Sequence, residues 1–339
     1  MSQIAERRIY TESRTRDLRL ALDKAEVILG DKACVYATGS FGRLEASEKS
    51  DLDLFIVGYS KDDDDGQGIK KSKLSILDEI LVKAELISAI RQLKIPDFDG
   101  DGKYLGHYSV DEFTKTLGKP DDDARNTLTG RLLLFLESRP LLGEEVYNQI
   151  IGEVIAAYWG DYQAHKENFL PAFLVNDILR LWRTLCVNYE ANTRNALDYD
   201  KKLKRKVKNY KLKHSRMLTC YSALIYLLGI YRLHDTVSIE NAKNMTRLTP
   251  IERLDWIAEE SFFETAKGII KNLRSQYEIF LENTSQGDDS LKEFFADRHK
   301  GEQLMQESYL FGDLIFETMM SVGEGSEKKH SKLLRLMVV

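Results

Sequence analysis

The sequence predicts an α+β fold: a small mixed β-sheet with flanking helices over residues 1–124, followed by a large all-helical domain over residues 125–339. Three observations predict it. Short β-favouring runs bounded by turn residues occur only in the first third. From about residue 121 onward apolar residues recur at helical spacing, and only five prolines interrupt the whole chain. Finally, 339 residues exceed what one ordinary domain holds.

Taken in order, Leu18, Ala21, Leu22, Ala25 and Ile28 predict a helix over 15–29, with Gly30 as its stop. Residues 33–37 form a β-favouring run that ends at the small-residue turn Thr38-Gly39-Ser40. Residues 41–48 read as a short helix or loop. The alternation across 51–57 predicts a second strand with Asp51 and Asp53 on one face. The acidic run 62–65 reads as a solvated loop. Ile76, Ile80, Ala84, Ile87 and Ile90 mark the apolar face of a helix over 72–94. Residues 96–102 read as a loop and 103–108 as a strand, where the β content ends; a short helix starts at Asp111. Helices are then predicted over 125–137, 146–166, 168–189, 216–234, 251–282 and 291–320, with the basic stretch 328–332 as a solvated tail.

Composition narrows the function classes. Hydrophobic residues at 43% supply a packed core and exclude wholesale disorder. Forty-nine Lys and Arg against 54 Asp and Glu leave a net charge of -5, so any site for a polyanion must be local. Cys34, Cys186 and Cys220 are too far apart for a disulfide framework or a CxxC metal motif, which fits a reducing compartment. No signal-type apolar region opens the chain. The longest mostly apolar stretch, 218–231, carries Thr, Ser and Gly and reads as a buried helix. The expectation is a cytoplasmic protein without a membrane partner.

The feature that carries chemistry is Gly39-Ser40, nine intervening residues, and Ser50-Asp51-Leu52-Asp53. A Gly-Ser turn lets backbone amides and a hydroxyl approach phosphate oxygens with no Cβ in the way. Carboxylates at i and i+2 of a strand point the same way, ~6–7 Å apart. They suit a pair of divalent cations, Mg²⁺ being the natural choice because carboxylate and triphosphate oxygens complete its octahedron.

Gly39-Ser40-Phe41-Gly42-Arg43 with Ser50-Asp51-Leu52-Asp53 resembles the signature of the DNA polymerase β-type nucleotidyltransferase superfamily. The likeness is greatest to the bacterial branch that holds the protein uridylyltransferases and related nucleotidyltransferases. Residues 106–110, 132–137, 141–144 and Tyr147 resemble the uridylyltransferase segment after its third carboxylate. The resemblance covers the first third of the chain well and the remainder more loosely. It implies transfer of NMP or dNMP from a nucleoside triphosphate to a hydroxyl, with release of pyrophosphate, aided by two Mg²⁺ or Mn²⁺ ions. Asp51 and Asp53 then hold metal, and Gly39, Ser40, Arg43 and Ser50 bind nucleotide. A third carboxylate, catalytic and metal-binding, falls among Asp97, Asp99 and Asp101. The family spacing counted back from Gly106-His107 lands on Gly100, which selects Asp99 and Asp101 without choosing between them.

The resemblance also implies cations from the helical domain. Asn176, Arg180 and Arg183 stand at i, i+4 and i+7, and nine Lys or Arg lie between 201 and 216. Arg180, Lys211, Lys213 and Arg216 are the expected clamp on the β- and γ-phosphates. The acceptor stays open among a protein side chain, an RNA end and an oligonucleotide grown without a template, as does a homo-oligomer or partner protein. Two other readings stand beside the enzyme: an inactive nucleotide-sensing or partner-binding module of the same fold, and a nucleic-acid-binding helical protein using residues 201–216. His107 reads as a packing histidine.

Overall fold

The computed structural model describes residues 1–61, 68–98, 105–194, 198–324 and 331–338. The chain divides into two compact units, Met1–Gly160 and Asp161–Val339, well past the boundary at 124/125 read from the sequence.

The first unit runs α1 (Gln3–Ala21), α2 (Asp23–Leu29), β1 (Ala33–Ala37), α3 (Gly39–Gly42), β2 (Leu54–Gly58), α4 (Ile76–Gln92), β3 (His107–Ser109), α5 (Val110–Lys115), α6 (Pro120–Ala124), α7 (Thr127–Leu136), β4 (Arg139–Leu142) and α8 (Glu144–Tyr158). The sheet order is β3-β2-β1-β4. β1 is antiparallel to both its neighbours, while β2 and β3 are parallel. A parallel pair needs a crossover, and α4 supplies it.

β1 and β2 are buried along their whole lengths because helices cover both faces of the sheet. On one face Ala33, Val35, Ala37, Leu54 and Ile56 join a core with Leu18, Leu22, Ala25 and Leu29 of the N-terminal helices and Val82, Leu86, Ala89 and Ile90 of α4. The other face is aromatic. Tyr36 stacks on Phe55 at 5.5 Å, Phe55 on Tyr108 at 6.3 Å, and Tyr36 meets Tyr147 of α8 at 6.0 Å.

Several expectations are corrected. The first helix begins at Gln3 behind an Ser2 cap and breaks at Leu22, giving two helices rather than one over 15–29. The β content does not end near residue 111, because β4 pairs with β1. Its Arg139-Pro140 start hides it from a strand pattern, and proline is tolerated there because β4 is an edge strand. β4 draws α7 and α8 into the first unit. In α4 the apolar residues lie on both sides: the buried side is Val82, Leu86, Ala89 and Ile90, whereas Ile76, Leu77, Ile80 and Leu81 are more than half exposed. The stripe through Ile76, Ile80 and Ala84 therefore is not the core face. Asp62–Asp65 lie outside the described residues.

The second unit holds α9 (Ala172–Thr193), α10 (Tyr199–Lys211), a π-helical segment (Leu212–Arg216), α11 (Met217–His234), α12 (Ile239–Arg247), α13 (Pro250–Glu259), α14 (Glu264–Asn283), α15 (Asp288–Ala296), α16 (Arg298–Gly323) and α17 (Lys332–Val338). α11 is the buried helix expected from its apolar run, packed against α9, α12, α13 and α16. Among the described residues no helix is long and apolar enough to cross a membrane. The predicted helix 251–282 breaks around a 3₁₀ turn at Ser261–Phe263, and 291–320 breaks where Asp297 caps α16 through the Lys300 amide at 2.9 Å. Of the basic stretch 328–332, residues 328–330 lie outside the described residues; Lys332 is exposed and opens α17, whose Leu333, Leu334 and Met337 are buried. The three cysteines are free.

Candidate active site

β1 ends at Ala37, Thr38 stays extended, and Gly39 turns the chain at φ +63° into the single turn of α3. A side chain at Gly39 would be strained by that φ, and its Cβ would stand 2.9 Å from Asp53 Oδ2. The carboxylate of Asp53 therefore lies directly against the glycine of the turn. The Thr38 N–H donates to the Asp53 carbonyl at 2.9 Å, which ties the two segments one position beyond the Ala37–Leu54 ladder pair.

The aspartates precede β2 rather than standing on it, because the strand begins at Leu54. The alternation survives this shift. Leu52 and Leu54 are each 1% exposed and belong to the core, while Asp51 and Asp53 are half-buried.

The loop between turn and aspartates is pinned from outside. A Cβ on Gly42 would stand 1.9 Å from the Glu137 carbonyl oxygen, so only glycine lets this segment approach the C-terminal end of α7. Arg43 is 8% exposed. Its Nε donates to Glu45 Oε2 at 2.8 Å and its Nη1 to Glu137 Oε2 at 2.6 Å. Arg43 was expected to contact nucleotide, but its guanidinium is a buried brace between the loop and α7. Arg7 Nη1 donates to the Glu45 carbonyl at 2.9 Å, and Thr11 Oγ1 accepts from the Ala46 amide at 2.9 Å, so α1 holds the same loop. Glu45 and Glu137 were not singled out from the sequence. The signal that finds them is the need of a buried guanidinium for carboxylates.

Ser40 is half-buried at the turn, and its carbonyl accepts from the Glu45 amide at 2.8 Å. Ser50 closes a local turn, its Oγ accepting from the Ser47 amide at 2.9 Å. The pair Asp99 and Asp101 lies outside the described residues. Asp97 is two-thirds exposed and accepts from Arg91 Nε at 3.3 Å. Among the described residues no cluster of three or more His, Cys, Asp or Glu is placed to hold a metal. His107, on β3 opposite Ile56, bonds through Nδ1 to Glu79 Oε2 at 2.8 Å. Burial works to raise the Glu79 carboxyl, but hydrogen bonds from Lys83 and His107 outweigh it and leave the group below its ordinary range.

The expected clamp residues belong to the second unit. Arg180 lines a groove of about 430 Å³ with Asn176 and Arg183, facing Leu336, Met337 and Val338 of α17, and its Nη1 is 3.7 Å from Asp177 Oδ1. The helical stripe read from the sequence is thus one wall of a groove. Lys211, Lys213 and Arg216 do not line it. Lys211 bonds to Asp288, Lys213 Nζ lies 4.1 Å from the centre of the Tyr309 ring, and Arg216 ends the π-helical segment.

No family model, no curated protein and no solved structure gives a significant match to this chain.

Proposed function

We propose that the chain is a metal-dependent nucleotidyltransferase that moves NMP or dNMP from a nucleoside triphosphate to a hydroxyl acceptor. One observation carries the reading: the Asp53 carboxylate lies against Gly39, at positive φ, in the turn that follows β1. The residues present fit a divalent cation. Asp51 and Asp53, two residues apart and both half-buried, offer hard oxygen donors, and the Asp53 carboxylate stands beside a glycine that has no Cβ to crowd it. Mg²⁺ held there supplies positive charge to the triphosphate and lowers the pKa of a bound hydroxyl.

The chain's own residues do the positioning. Gly39 and Ser40 present a turn whose leading N–H groups have no intrahelical partner and can meet phosphate oxygens. Arg43, Glu45 and Glu137 keep that turn from shifting as charge develops. In the reaction the acceptor oxygen bonds to the α-phosphorus, the bond from that phosphorus to the bridging oxygen breaks, and pyrophosphate leaves. The acceptor's proton passes to a carboxylate, for which Asp99 and Asp101 are the proposed positions. Arg180 and the other second-unit cations are not required by this proposal, which rests on the first unit alone.

The test is incubation with each α-labelled NTP and dNTP plus Mg²⁺ or Mn²⁺, with products resolved on protein and nucleic-acid gels. Asp51→Asn and Asp53→Asn should each lower labelling at least ~100-fold. Equal label in wild type and both variants refutes the proposal. The gel that carries the label names the acceptor.

A further inference from the structure

We propose that the lysine face of α10 binds a single polynucleotide strand. The helix is two-sided. Leu203, Val207 and Tyr210 are buried among the neighbouring helices of the second unit, whereas Lys201, Lys202, Lys204, Lys206 and Lys208 are exposed. In a chain of net charge -5 this is a local concentration of positive charge.

Ion pairs neutralise only part of it. Lys204 bonds to Asp200 at 2.7 Å, Arg205 lies 3.7 Å from Glu190, and Lys211 bonds to Asp288. Among the described residues Lys201, Lys202, Lys206 and Lys208 have no ion pair; Lys206 rests its Nζ 5.9 Å from the centre of the Phe295 ring.

The arrangement selects the ligand. Lys201, Lys204, Lys208 and Lys211 follow one another at i, i+3, i+7 and i+10, a stripe roughly 15 Å long with cations about 4.5–6 Å apart along the axis, in which Lys204 and Lys211 exchange their exposed partners Asp200 and Asp288 for phosphate. That interval suits successive phosphates along a strand, whereas a lone phosphate reaches one or two of these lysines. Insertion into a membrane surface needs the apolar side of the helix, and that side is already buried. Tyr199, the first residue of α10, is 63% exposed and offers a face for base stacking. Nothing in this argument uses Asp51 or Asp53, so it stands or falls apart from the catalytic proposal.

The experiment is fluorescence anisotropy of the full chain with end-labelled 12-nucleotide dT and U strands from 25 to 300 mM salt. Four released counterions give log K against log salt a slope of about -3. The variant K201Q/K204Q/K208Q/K211Q, which removes the stripe, keeps helix propensity, and its fold is checked by its circular dichroism melt. It should lose the slope and weaken binding at least tenfold at 50 mM salt. Tyr199→Ala should weaken binding about fivefold or more, and D51N/D53N should bind as wild type. The dT and U arms show whether the sugar matters. Absence of binding to both strands at 25 mM salt overturns the proposal. So does unchanged affinity of the folded quadruple variant, or preferential binding of a poly-glutamate peptide or anionic phosphatidylserine vesicles.

Discussion

Gly42→Ala tests the frame around the candidate site, because the same chemical change has the opposite sign elsewhere in the chain. At Gly42 the new methyl would stand 1.9 Å from the Glu137 carbonyl oxygen and 2.9 Å from that of Ala37. Both neighbours are backbone, so no rotamer change relieves the contact. The segment after α3 must move about 1 Å or more from the end of α7, which also lengthens the Arg43–Glu137 bond now at 2.6 Å. Overpacking of this kind costs about 1–3 kcal/mol, and the backbone contact places this site at the upper end. For a unit of this size about 3 kcal/mol lowers the melting midpoint by roughly 6–12 °C. Gly312, inside α16, has open space where its Cβ would go. There alanine removes unfolded-state freedom and should stabilise by about 0.5–1 kcal/mol. Calorimetry of both variants, resolved into the transitions of the two units, measures the contrast. A wild-type midpoint for the first unit in Gly42→Ala, or shifts of the same sign in both variants, refutes the close-approach argument.

Two further perturbations follow. Gly39→Ala should cost about 1–2 kcal/mol from the positive φ and displace Asp53 Oδ2. Its nucleotide labelling should fall much further than its stability, and full labelling would separate the turn from the chemistry. His214, 1% exposed, donates Nδ1–H to the Tyr210 carbonyl at 2.8 Å, is stacked on Phe280, and is lowered by burial to about 4. The unfolded chain therefore takes up the proton first as pH falls. Stability is complete above pH 6.5 and declines toward pH 4, by about 2 kcal/mol between pH 6.5 and 5 and about 3 kcal/mol in all. Urea titrations at stepped pH should show this slope and its loss in His214→Phe; an identical slope in both proteins would show that other groups carry it.

What the sequence made legible was what neighbouring residues decide. The first strand and the Gly-Ser turn follow from local pattern, and burial alternates from Asp51 to Leu54 even though the strand begins after the aspartates. Contacts between distant segments were not legible. Pro140 conceals β4 until its edge position is known. α4 is apolar on two sides, and only the sheet and α2 decide which one is buried. Of the candidate carboxylates, Asp53 meets the turn, whereas Asp97 bonds to Arg91 at the surface.

Arg43 shows how burial overrules a motif. A cation four residues after Gly39 is, on spacing alone, a natural phosphate ligand, since guanidinium groups grip phosphate in a bidentate fork. Its surroundings decide otherwise. Taking a guanidinium out of water costs several kcal/mol unless carboxylates accompany it, and here Glu45 and Glu137 do so at 2.8 and 2.6 Å. A nucleotide phosphate reaching Arg43 would have to displace a buried carboxylate, at a further cost of several kcal/mol that one charge-assisted hydrogen bond does not return. The arginine's worth to the site is therefore rigidity: it locks a loop whose one end is the glycine turn and whose other end carries both aspartates. By the same reasoning Arg43→Lys is not a conservative change, because an ammonium cannot span two carboxylates in the guanidinium's fixed fork.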